Sequence, residues 1–128
     1  MNRERLGSPL GRALGLGSAK SGVEQWRLER VSAVALVPLT VWFAASIVMQ
    51  MSSDYFTLIA WLKTPAATIL MVLLLTGLFY HTALGLQVVI EDYVHSAMKI
   101  PLLLGMRFGC LGLAVAGIWA TLRIAFGG

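Results

Sequence analysis

One cysteine, Cys110, and two histidines, His81 and His95, are all that these 128 residues contain of those two metal-ligating types. A lone cysteine excludes a disulfide within the chain and the four-thiolate cage of an iron–sulfur cluster. Two histidines and six acids leave little material for a self-contained metal enzyme. Cys110 lies in an apolar run and reads as a small buried apolar residue. Charge is also scarce: 12% of residues are charged, against about 25% in soluble domains. Set beside a hydrophobic content of 58%, that scarcity argues for an integral membrane protein. The length allows one domain at most. A net charge of +4 is no sign of nucleic acid here. Most basic residues precede the first apolar span, where a lipid surface explains them better.

Residues 1–21 are polar and glycine-rich and lack the apolar core of a signal peptide. They read as a cytoplasmic segment preceding a membrane domain over residues 22–128. Residues 22–30, GVEQWRLER, begin a helix that enters the bilayer, with Trp26 suited to the interface. Residues 31–51 form a first span without a charge, about the 20 residues that a crossing helix needs. Pro38 removes one backbone donor inside it and is expected to kink it. Ser32, near its polar end, bonds back to its own helix or faces a pocket at headgroup level. Residues 52–64 are a short connection with an aromatic belt of Tyr55, Phe56 and Trp61, and residues 56–62 are expected as a short interfacial helix. Pro65 suits the first turn of the next helix. Spans at about 66–90 and 100–124 complete an all-α fold of three transmembrane helices. Gly105, Gly109, Gly112 and Gly117 predict close helix contacts in the last one.

Three spans place the amino terminus and the second loop on the same side. That side holds Arg3, Arg5, Arg12, Lys20, Arg27, Arg30, Lys99 and Arg107, and the other holds Lys63 and Arg123. The positive-inside rule then makes the amino terminus cytoplasmic.

The chain is organised around residues 77–93, GLFYHTALGLQVVIEDY. His81 is an ionisable group within an apolar span, which is costly and marks a functional site by default. Gly77 and Gly85, four residues to either side, share its helix stripe. Two readings stand: the glycines clear room for a flat group beside an imidazole ligand, or they let a neighbouring helix pack while His81 only bonds across it. Axial haem ligation needs a neutral imidazole and a flat cavity. His95 lies 14 residues on, roughly 21 Å along the axis, so a six-coordinate haem requires a histidine from another chain. At the helix end, Asp92 and Tyr93 fit quinone chemistry, in which a phenol donates to a quinone carbonyl and nearby carboxylates relay protons. An ordinary interfacial tyrosine with solvated acids fits the same residues.

The pattern of His81, ten residues, then Asp92–Tyr93 at the end of a second span resembles the smaller, D-type membrane anchor of succinate dehydrogenase. The lead GVEQWRLERVSA into the first span, with Arg30 eight residues after Gly22, resembles the same family. The resemblance covers roughly residue 22 to the end. It implies half of a six-helix anchor, paired with a second three-helix anchor of the cytochrome b556 type beneath a flavoprotein and an iron–sulfur subunit, in a bacterial inner membrane. It implies a shared haem b with His81 as one axial ligand to the iron, Arg30 near a propionate, Tyr93 hydrogen-bonded to ubiquinone, and Asp92 orienting that tyrosine. Such a chain holds no complete catalytic site of its own. Electrons would pass from succinate to quinone, joining the tricarboxylic acid cycle to respiration. A fumarate reductase anchor shares the architecture. A structural or assembly subunit of a transporter or channel, with His81 packing or relaying protons, is the alternative from another class.

Overall fold

The computed structural model describes residues 18–127, with side chains from residue 22 onward. The reading of residues 1–21 as a separate cytoplasmic segment lies for the most part outside the described residues. Four helices follow in order: α1 (Ser18–Gln50), α2 (Tyr55–Leu62), α3 (Pro65–Tyr93) and α4 (Lys99–Phe126). Three segments are long and apolar enough to cross a membrane: Gly22–Gln50, Pro65–Tyr93 and Lys99–Phe126. The protein is an all-α, multi-pass membrane protein.

Each long helix overruns the roughly 30 Å hydrocarbon core. In α1 the charged residues 24–30 continue the helix instead of breaking it, since Glu, Gln, Arg and Leu are all strong helix formers. The helix also runs unbroken through Pro38. Helix α2 is the short helix expected between the first two spans. Its Asp54 cap accepts the Thr57 amide at 2.9 Å, satisfying one of the orphan donors of the first turn. Hydrogen bonds from Thr57, the hydroxyl ahead of the amide, hold the Asp54 carboxyl below the usual carboxylate range. Pro65 occupies the first turn of α3, after a Thr64 cap.

Helix α3 is central: α1 and α4 both pack on it. Gly77 brings Leu36 of α1 so close that a Cβ there would lie 3.3 Å from Leu36 Cδ2. Gly117 of α4 takes Leu75 of α3 in the same way. The close contacts expected of the other α4 glycines are not made among the described residues, where a Cβ at Gly105, Gly109 or Gly112 would meet nothing within 4 Å. Trp42 of α1 stacks on Trp61 of α2, with centroids 6.0 Å apart. Among the described residues the buried apolar core is Leu36, Ala67 and Leu74. Ser32, Ser46 and Thr68 are buried with it, and Thr68 bonds back to the carbonyls of Leu62 and Thr64. A short hydroxyl that returns its proton to the main chain is tolerated where a bare polar group is not. Large apolar side chains cover much of the outer surface, as lipid or partner helices require.

Candidate functional site

His81 projects from the middle of α3, half-buried. Its Nδ1 lies 2.8 Å from Oγ of Ser32 on α1. Ser32 is 7% exposed and also donates to the main-chain oxygen of Glu29 at 2.9 Å. Among the described residues, His81 Nε2 has no hydrogen-bond partner. The two glycines flanking His81 divide the roles that the sequence left open. Gly77 serves helix packing against Leu36, whereas a Cβ at Gly85 would meet nothing within 4 Å. The α1 side of the imidazole is held by Ser32, and the helix position one turn beyond it, Gly85, is uncovered among the described residues.

An imidazole with one nitrogen engaged by a neighbouring helix and the other unpartnered among the described residues fits the requirement of a haem iron for a histidine nitrogen. No group of three or more His, Cys, Asp or Glu gathers among the described residues. A metal centre here would draw on ligands from elsewhere, consistent with the count of histidines.

Arg30, two residues before Ser32, is exposed, and its guanidinium lies 5.4 Å from the Trp26 ring centroid. A cation–π contact of this kind holds the charge at the interface. The structure does not bring Arg30 and His81 into direct contact. Two polar atoms near the start of α1, Gln25 Nε2 and Glu29 Oε1, are buried without a hydrogen-bond partner. They stand four residues apart on the helix that carries Ser32, so the polar face of α1 is incompletely satisfied among the described residues.

Asp92 and Tyr93 end α3, and both are exposed, Tyr93 by 81%. Among the described residues no hydrogen bond joins them. Next to them runs a relay that sequence reading missed. Arg107 of α4 donates to Gln87 Oε1 at 3.2 Å, and Gln87 Nε2 donates to Glu91 at 3.1 Å. Arg107 is thus tied to α3 as well as reaching for the surface. Its signal was present in part, since Gln87 and Glu91 are four apart and share a helix face. The Ser32–His81 pair had no such signal, because 49 residues separate the partners.

The family model for the succinate dehydrogenase/fumarate reductase transmembrane subunit matches residues 4–116. A succinate dehydrogenase hydrophobic membrane anchor subunit from Rickettsia bellii is 39% identical over 83 residues, 65% of this chain and 66% of that protein. Its counterpart from Rickettsia conorii is 31% identical over 106 residues, 81% of this chain and 84% of the relative. That from Rickettsia typhi is 31% identical over 105 residues, 80% and 83% of the two chains. No solved structure matches.

Proposed function

The chain belongs to the succinate dehydrogenase/fumarate reductase transmembrane subunit family, and on that premise we propose that it is the hydrophobic membrane anchor of a succinate dehydrogenase. Its three spans hold a flavoprotein and an iron–sulfur subunit at a bacterial inner membrane, with the amino terminus cytoplasmic. A second three-helix anchor of the cytochrome b556 type completes a six-helix base. The basic residues clustered before α1 and around the α3–α4 loop support this orientation.

The observation that carries the reading is His81 on the central helix, with Nδ1 engaged by Ser32 of α1 and Nε2 without a hydrogen-bond partner among the described residues. His81 would hold the iron of a haem b shared with the partner anchor through an imidazole nitrogen, and Arg30 would pair with a propionate. Haem supplies a one-electron carrier when bound. Tyr93 donates a hydrogen bond to a ubiquinone carbonyl at the cytoplasmic end of α3. Asp92 beside it orients the phenol. Glu91 supports proton delivery from the water boundary, since reducing the quinone fully takes two protons.

The test is a reduced-minus-oxidised spectrum of the purified complex, with and without His81→Ala. A b-type band is expected in the wild type and is expected to be lost or displaced in the variant, while all three spans remain inserted. An unchanged spectrum and midpoint potential in His81→Ala would place the ligand elsewhere.

A further inference from the structure

We propose that Ser32 is a positioning residue that fixes the tautomer of His81 and so selects Nε2 as its iron-binding nitrogen; this rests on the haem reading above. The argument is a count of protons. Ser32 Oγ lies within hydrogen-bond distance of two atoms, the Glu29 main-chain oxygen at 2.9 Å and His81 Nδ1 at 2.8 Å. A carbonyl oxygen only accepts, and a hydroxyl has one proton. The bond to Glu29 takes that proton. The bond to His81 must then run the other way, with Nδ1–H donating to a lone pair on Oγ. A neutral imidazole carries a single N–H, so Nε2 is left with the lone pair that a metal needs.

The three groups form a directed chain, from His81 N–H to the Ser32 hydroxyl to the Glu29 carbonyl. Each bond polarises the next. Because its own proton is drawn toward Glu29, Ser32 is a better acceptor for His81. A ligating imidazole whose outer N–H is accepted in this way is more basic and more firmly oriented. A more basic ligand favours ferric over ferrous iron, so the contact lowers the reduction potential of the haem.

The helix register makes the contact possible. Leu36 meets Gly77, and Ser32 meets His81: one turn back along α1 pairs with one turn forward along α3, as antiparallel helices require. The missing side chain at Gly77 lets Leu36 approach, and that approach brings α1 near enough for a side chain as short as serine to reach the ring. Ser32 is 7% exposed, so water competes little for the bond.

The experiment compares Ser32→Ala and Ser32→Thr with the wild type in the purified complex. The readouts are haem content, the midpoint potential from a redox titration, and the low-spin ferric EPR signal. Ser32→Ala is expected to raise the midpoint and shift the EPR signal, and Ser32→Thr, which keeps a hydroxyl, to restore both toward wild type. Loss of haem in Ser32→Ala with retention in Ser32→Thr supports the same conclusion. An unchanged midpoint and EPR signal in Ser32→Ala, or equal haem loss in both variants, overturns it. A wild-type complex without a b-type band would overturn the haem reading and this inference together. A wild-type band with a silent Ser32→Ala removes only the role of the serine.

Discussion

Tyr93 ends α3 with 81% of its surface exposed, twelve residues beyond His81 and so about 18 Å along the axis. An exposed phenol at this depth suits a substrate that enters from the bilayer and takes electrons from a soluble head. Its hydroxyl can donate to a quinone oxygen and stabilise the charge that develops there. Tyr93→Phe keeps the ring and removes only the donor. Losing one such donor can cost about 2.7–4 kcal/mol in catalysis, so quinone reduction is expected to fall by about two orders of magnitude or more. Oxidation of succinate by a dye that accepts electrons from the head should change little. The ratio of these activities, measured in membranes with equal complex content, is the test, and a wild-type ratio in Tyr93→Phe would reduce Tyr93 to an interfacial aromatic. Among the described residues nothing clamps the phenol, and Asp92 makes no hydrogen bond to it. The orientation that the reading asks of Asp92 therefore depends on the bound quinone or on the partners.

At the scale of the helix, the glycines separate two kinds of space. A side chain at Gly77 collides with Leu36, whereas one at Gly85 meets nothing in this chain. Gly77→Leu is therefore expected to loosen α1 from α3, at about the 1–3 kcal/mol typical of overpacking, seen as a lower melting temperature of the complex. Gly85→Leu should leave the packing of α1 on α3 alone and lower the haem-to-protein ratio. Full haem in Gly85→Leu would assign that open face to something other than a cofactor. These opposite roles could not be read from the sequence, where both glycines stand at the same spacing from His81. Spans, the interfacial helix and the Pro65 start were legible because hydropathy and capping act over a few neighbouring residues. Which glycine meets a neighbour, which serine meets the histidine, and that Gln87 bridges Arg107 to Glu91 all depend on how helices pack, and local pattern carries no record of that. The helical start over the charged residues 22–30 was legible too, since those residues are strong helix formers, and α1 covers them.

At the scale of the whole molecule, little of the surface is buried among the described residues. Their buried apolar core amounts to Leu36, Ala67 and Leu74, and the Gly105, Gly109 and Gly112 positions of α4 lie open among them. Small residues that expose helix backbone to a neighbour are the means by which membrane helices associate, since lipid offers no hydrophobic drive to bring them together. Gln25 Nε2 and Glu29 Oε1 remain buried without partners, and a low-dielectric setting makes such groups costly until something bonds them. The ligand count points the same way. His81 is the single histidine within the spans, and His95 lies in the loop beyond α3, too far along the axis to reach the other side of the same iron. A b-type haem with two histidine ligands thus needs a second chain. Expressed alone, the chain is expected to accumulate poorly and to show no b-type absorbance. Co-expression with its partner anchor should restore both. The measurement is the haem spectrum together with the quantity of chain in the membrane, with and without the partner. A stable, low-spin, six-coordinate haem in the chain purified alone as a monomer would show that the second ligand lies within these residues and would sink the half-site argument.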